Sequence, residues 1–163
     1  MTPKLFLSGT LSAFVATTFA LVVGPISAAP SETEIFVSGK DGYHTFRIPS
    51  VVLTNKGTLL AFCEARKKSR SDTGDIDLVM KRSSDGGKSW SSMSVLWDDE
   101  SNTCGNPCPV VDRTTGMIHL LLTWNSGKVH ESKIKPGFGK DSRRVFVSSS
   151  TNDGRTWTKP KEI

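Results

Sequence analysis

Ser83-Ser84-Asp85-Gly86-Gly87-Lys88-Ser89-Trp90 is matched further along the chain by Ser150-Thr151-Asn152-Asp153-Gly154-Arg155-Thr156-Trp157. Both stretches fit the pattern Ser-x-(Asp/Asn)-x-Gly-x-(Ser/Thr)-Trp. A motif that returns in this way marks a repeated structural unit. Within each copy the Asp85 carboxylate or the Asn152 amide oxygen can accept from backbone N–H groups further on, closing an Asx turn. Gly87 and Gly154 supply a positive φ at no steric cost. Trp90 and Trp157 are expected to pack against the sheet of their own hairpin, burying a large apolar area. Ser83, Asp85, Gly87 and Trp90, with Ser150, Asn152, Gly154 and Trp157, therefore read as turn staples rather than catalytic groups.

Working outward from the two turns, the same order of elements returns around each. Strands are expected over 48–54, 58–65, 76–83 and 91–97, then over 108–111, 117–124, 145–150 and 158–163. Asn55-Lys56-Gly57 and Thr114-Thr115-Gly116 punctuate the first pair of strands in each unit. A long polar loop follows the second strand in each, over 66–75 and 125–143. No helical periodicity is sustained over a dozen residues, so the class is all-β. Two units of four antiparallel strands are two blades of a β-propeller, and two blades cannot close a ring. The long loops lie at the end opposite the stapled turns and are expected to share one face, where a rigid sheet can position functional groups.

Composition narrows the functional classes. Lys and Arg number 21 against 16 Asp and Glu, a net charge of +5. That excess suits an anionic ligand, but the cations alternate with acids and form no run of the kind nucleic acid requires. Residues 1–29 read as a secretory signal, with Lys4 as the basic region, an apolar stretch over 5–23, and small residues at Ser27-Ala28-Ala29 before the cut. An uncleaved anchor is the rival reading; Ser8, Gly9, Thr10, Ser12, Thr17 and Thr18 dilute the apolar run. After cleavage, residues 30–163 form the propeller part, with no membrane span expected. Cys63 sits in an apolar run and reads as a buried free thiol, while Cys104 and Cys108 could bridge across Gly105-Asn106-Pro107. No cysteine or histidine pair has zinc spacing, so no metal is expected.

Phe46-Arg47-Ile48-Pro49, Glu64-Ala65-Arg66, Ser71-Asp72-Thr73-Gly74-Asp75-Ile76-Asp77 and the turn at 83–90 follow one another in an order that resembles the sialidase (neuraminidase) family with Asp-box repeats. The resemblance runs over nearly all of residues 34–163 and implies the N-terminal part of a six-bladed β-propeller. It implies that Arg47 belongs to a three-arginine clamp on the carboxylate of sialic acid, where a guanidinium fork binds two oxygens and stays charged. By the same resemblance Arg66 lies near the sugar hydroxyls, with structural support of the Asp72 loop as the alternative. Asp72 matches the acid/base aspartate, protonated to help the leaving group depart and ionised to activate water. Asp77 is read within the third strand and Asp75 as holding the loop. Asn106 could hydrogen-bond the sugar, and Trp124 could wall an N-acetyl pocket or equally be core packing.

The family's nucleophile is a tyrosine activated by a glutamate, an exception to the two-carboxylate pattern of glycosidases. The single tyrosine here, Tyr43, does not match it, and with His44 it reads as a packing or rim residue. The expectation is thus a secreted, cofactor-independent exo-α-sialidase acting on sialylated glycans or glycoproteins. In this chain it would be represented by a part that needs its remaining blades and is inactive alone. A non-catalytic Asp-box propeller that binds carbohydrate or protein stays open, as does a gene remnant without function.

Overall fold

The computed structural model describes residues 32–163; the leader reading for residues 1–29 lies outside the described residues. Eight strands follow in chain order: β1 (Thr45–Leu53), β2 (Leu59–Arg66), β3 (Ile76–Ser83), β4 (Ser94–Trp97), β5 (Thr103–Val111), β6 (Ile118–Asn125), β7 (Arg144–Ser150) and β8 (Lys161–Glu162). Each consecutive pair within β1–β4 and within β5–β8 is antiparallel. The two four-stranded units meet through one parallel bridge, Ile76 to Thr103, so that β5 lies beside the start of β3. This is the two-blade arrangement the repeat predicts.

The period of two in the strands sorts side chains into two cores. Leu60 and Phe62 of β2 and Leu78 and Met80 of β3 face Cys104, Ile118, Leu120 and Leu122 of the second blade. The alternate residues Cys63, Ala65 and Val79 face the other way and pack with Phe36, Tyr43, Phe46 and Met93. Strand β2 is buried on both faces, which is why its sequence reads as a continuous apolar run rather than an alternation.

Both stapled turns form as the motif requires. Asp85 Oδ1 accepts from the Ser89 backbone N–H at 3.0 Å and from Ser83 Oγ at 2.8 Å, and the Gly87 N–H donates to Ser83 Oγ at 2.8 Å. The second turn repeats the set: Asn152 Oδ1 accepts from the Thr156 N–H at 2.9 Å and from Ser150 Oγ at 3.0 Å, and the Gly154 N–H donates to Ser150 Oγ at 2.9 Å. These bonds to its charged form hold the Asp85 carboxyl far below the usual carboxylate range, the Ser89 hydroxyl contributing most. Trp90 keeps to its own turn, its indole N–H donating to Gly87 O at 3.1 Å, whereas Trp157 differs from expectation. Trp157 packs edge-on against Phe62 of the first blade, with ring centroids 5.8 Å apart, rather than on its own hairpin. Gly154 is pressed so close to that blade that a Cβ would lie 2.7 Å from Leu60 Cδ1. The second turn thus docks across the blade interface. Asp153, inside that turn, accepts from Thr58 Oγ1 at 2.7 Å and pairs with Arg82 at 3.1 Å.

Strand limits differ from the sequence reading where the chain bulges. β1 starts at Thr45 and β5 at Thr103, each running through a register shift, between Arg47 and Ser50 and between Gly105 and Cys108. Ile48 (φ 55°) and Asn106 (φ 52°) hold positive φ, and each precedes a proline. Each lies within the bulge, where the residue before a proline departs from its usual extended conformation, and pairing continues on both sides of it. The Cys104–Cys108 bridge is overturned by the same fact. Both thiols are free; Cys104 is buried in the core and Cys108 is exposed. They lie on one extended strand, roughly 10 Å or more apart at its usual rise, beyond the ~7 Å that a disulfide spans between Cα atoms.

Candidate active site

The two bulges open onto a common cleft of about 240 Å³, lined by Arg47 and Ile48 of β1, Glu64 and Arg66 of β2, Asp72, Thr103 and Asn106 of β5, Glu131 and Arg143. Both long loops reach it: 67–75 brings Asp72, and 126–143, which contains a short 3₁₀ turn at Glu131–Lys133, brings Glu131 and Arg143. The expectation that these loops share a face holds. Its physical basis is the parallel bridge of β3 to β5, reinforced by Thr103 Oγ1 donating to Gly74 O at 2.9 Å.

Arg66 is the hub. It is buried, and its Nη1 donates to the carbonyls of Arg70 at 2.6 Å and Ser71 at 2.9 Å. Its Nη2 pairs with Glu64 Oε2 at 2.7 Å and Asp72 Oδ1 at 2.6 Å. One planar fork therefore shapes the loop and fixes the carboxylate it carries. Arg47 Nη1 reaches the same Asp72 oxygen at 3.1 Å. Hydrogen bonding from Arg66, then the charges of Arg66, Arg47 and Arg143, outweigh the opposing desolvation and hold the Asp72 carboxyl below its ordinary value. In this state Asp72 is ionised.

Glu64 was not assigned a role from sequence, yet it joins the blades. Its Oε2 holds Arg66, and its Oε1 accepts the Asn106 backbone N–H at 3.0 Å. Gly105 leaves that approach open, since a Cβ there would lie 2.2 Å from Glu64 Oε1. The signal was legible: Glu64 and Arg66 are two apart on a strand and share a face. Arg143 and Glu131 lay in a loop whose path no local pattern reveals. Arg143 donates through Nε to Asn125 Oδ1 at 3.1 Å and lines the cleft, making no other side-chain hydrogen bond among the described residues.

Of the residues singled out from sequence, Arg47, Arg66, Asp72 and Asn106 come together in the cleft, and Trp124 does not. Asn106 Nδ2 donates to Thr123 Oγ1 at 2.8 Å. Trp124 packs against the interblade core; its indole N–H donates to Asp99 at 2.7 Å and Arg144 stacks on its ring at 4.7 Å. Asp99 takes its indole N–H and Arg144 one face of its ring, which matches the core-packing alternative. Tyr43 also stands outside the cleft, its hydroxyl donating to Asp77 and its ring in the second core. Burial first, then the bond and charge of Asp77, push its phenol well above the usual range.

Asp77 lies within β3 and Asp75 in the loop before it, as read from sequence. Together with Asp98 they form an acidic trio centred on Lys67, whose ammonium is 3.1 Å from Asp75, 3.3 Å from Asp77 and 3.3 Å from Asp98. The lysine already supplies the cation there, and its pKa is raised by those carboxylates against the cost of burial.

A cleft of guanidinium and carboxylate groups, set on blades closed by Asp-box turns, defines the class as an Asp-box β-propeller. The particular family is reached by comparison: residues 57–163 match the BNR repeat-like domain, and the chain belongs to that family. Among curated relatives, it is 37% identical over 139 residues to an exo-alpha-sialidase of Arthroderma benhamiae, covering 75% of this chain and 34% of that protein. It is 33% identical over 139 residues to a sialidase of Bacteroides fragilis, covering 77% of this chain and 26% of the relative. Among solved structures, the Hadza microbial sialidase Hz136 superposes with a TM-score of 0.70 at 30% identity, over 77% of this chain and 27% of that one. The chain spans about a third of the length of the fungal relatives it matches. The resemblance to sialidases read from residues 46–90 holds.

Proposed function

We propose that this chain supplies the carboxylate-binding and acid/base part of an exo-α-sialidase that removes terminal sialic acid from glycoconjugates. The observation that carries the reading is the meeting of Arg47 and Asp72, 25 residues apart in sequence, 3.1 Å apart over one cleft. Arg47 would take the sugar carboxylate. Asp72, once protonated, would give its proton to the glycosidic oxygen as the bond to the anomeric carbon breaks and the electron pair leaves on the aglycone. In the return half, Asp72 carboxylate would take a proton from the attacking water. Asn106 and Arg143 offer further polar contacts to the sugar. The nucleophilic tyrosine implied by the family is not supplied by Tyr43, which is committed to Asp77. The 163 residues by themselves would therefore bind without turning over. A secretory leader at 1–29, as read from sequence, would direct the protein outward, and the site chemistry calls on no metal or organic cofactor. Among the described residues no helix is long and apolar enough to cross a membrane.

The test has two arms. Saturation-transfer NMR with sialic acid should show binding that Arg47→Ala abolishes, and a fluorogenic sialoside should stay intact with the chain alone. Unaltered binding by Arg47→Ala would overturn the clamp, and release of the fluorophore would overturn the assignment of the nucleophile to residues other than these. The non-catalytic reading would gain if the chain bound neutral glycans as well as sialylated ones.

A further inference from the structure

We propose that Arg47 is a switch that Asp72 and the bound ligand's carboxylate compete for, so that docking of the anionic sugar is itself the event that arms Asp72 as a proton donor. This rests on the reading of the cleft as a sialic acid site and adds a regulation of its acid.

The geometry sets up an unequal contest. Arg47 and Arg66 hold the same oxygen, Oδ1, of Asp72, at 3.1 and 2.6 Å. Arg66 has a side-chain exposure of 3% and, besides Asp72, three further anchors in Glu64 and the Arg70 and Ser71 carbonyls, so it cannot turn away. Arg47 has a side-chain exposure of 46%, and Asp72 is its one side-chain partner among the described residues. It alone is free to swing.

The charges facing Asp72 are Arg47 from β1, Glu64 and Arg66 from β2, Glu131 from the 3₁₀ turn and Arg143 from the loop before β7. Glu64 is neutralised by Arg66, so the free-state balance around Asp72 is positive and favours the carboxylate. A ligand carboxylate that recruits Arg47 changes this balance twice. It removes one cation from Asp72 and brings a like charge near it, and both push the Asp72 pKa upward. Asp72 then takes a proton from solvent and can hand it to the leaving oxygen. The coupling is reciprocal: protonating Asp72 frees Arg47, so the ligand binds more tightly as pH falls toward the acid range, until its own carboxylate protonates.

A sugar lacking the charge would fit the same cleft without arming the acid. The experiment is a ¹³C-carboxyl NMR titration of Asp72 in the full chain, assigned with Asp72→Asn. It is run free, with saturating methyl α-sialoside, and with the C1 methyl ester of that sugar, and repeated in Arg47→Gln. The expected result is an upward move of the Asp72 midpoint with the acid ligand and none with the ester. Free Arg47→Gln should already titrate higher than free wild type. Arg47 is half exposed, so the variant keeps the fold, and the Asn106 amide resonance reports both folding and ligand contact. Ligand contact at Asn106 with an unmoved Asp72 midpoint overturns the switch and leaves the sialic acid reading intact. So does an unchanged midpoint in Arg47→Gln. Absence of ligand contact at every pH overturns the sialic acid reading, and the switch falls with it.

Discussion

Gly105→Ala is a severe test of how the two blades are joined. A methyl at position 105 would sit 2.2 Å from Glu64 Oε1 and 2.9 Å from its Cδ, roughly 1 Å inside ordinary contact. A free glutamate end would swing aside at little cost. This one is pinned, with one oxygen on Arg66 at 2.7 Å and the other on the Asn106 N–H at 3.0 Å. The carboxylate must therefore give up the Asn106 bond or stretch the Arg66 pair. Overpacking of this kind costs about 1–3 kcal/mol, and stranding a polar partner adds about 1–3 kcal/mol. A loss of about 2–6 kcal/mol in unfolding free energy is expected, read from the urea midpoint. The diagnostic partner is Glu64→Asp, whose shorter side chain withdraws the oxygen from the methyl. In the double variant the penalty of Gly105→Ala should shrink by at least about 1 kcal/mol, a coupling that distant sites do not show. Strict additivity of the two changes, or a Gly105→Ala midpoint equal to wild type, would refute the argument.

Asp153→Asn should cost about 1–3 kcal/mol, since it weakens a buried acceptor of Thr58 and the partner of Arg82. Burial opposes the Asp153 charge, but the neighbouring Thr54 hydroxyl, the bond from Thr58 and the charge of Arg82 outweigh it and lower its pKa. Its stabilisation is therefore fully present above about pH 4 and is lost as pH falls through the lower folded value. Urea midpoints at pH 7 and pH 3 should converge between wild type and variant in acid; a gap of equal size at both would refute the linkage. Arg66→Lys cannot reproduce the fork to Glu64, Asp72 and two carbonyls, and should weaken sialoside binding more than tenfold, about 1.4 kcal/mol. Calorimetry showing wild-type affinity would remove Arg66 from its role as hub. A thiol reagent at pH 8 should find one fast equivalent, Cys108. Burial, then the Glu64 charge, pushes the Cys63 thiol up to about 12, and Cys104 is buried in the core. All three should react in denaturant, and a count of one there would restore the disulfide.

What sequence determines about this protein is local and periodic. The stapled turns need only residues within one stretch of eight, whose side chains bond their own backbone, so Ser83–Trp90 and Ser150–Trp157 could be read directly. The strands followed from alternation and from glycine turns, and Arg47 with Asp72 from motif order. Glu64 was visible in principle, two residues from Arg66 on one strand face. Tertiary structure decided everything that depends on what arrives from the other blade. Trp157 found Phe62, and Trp124 was claimed by Asp99 and Arg144 rather than by the cleft. Sequence alone starts the first strand at Ile48 and the fifth at Cys108, because pairing on the near side of each bulge is a property of the neighbouring strand and not of the local residues. Arg143 reached the site along a loop with no repeating pattern to follow. Short-range hydrogen bonds and strand alternation are written in adjacent residues, while contacts between blades depend on the relative placement of sheets, which no window of sequence contains.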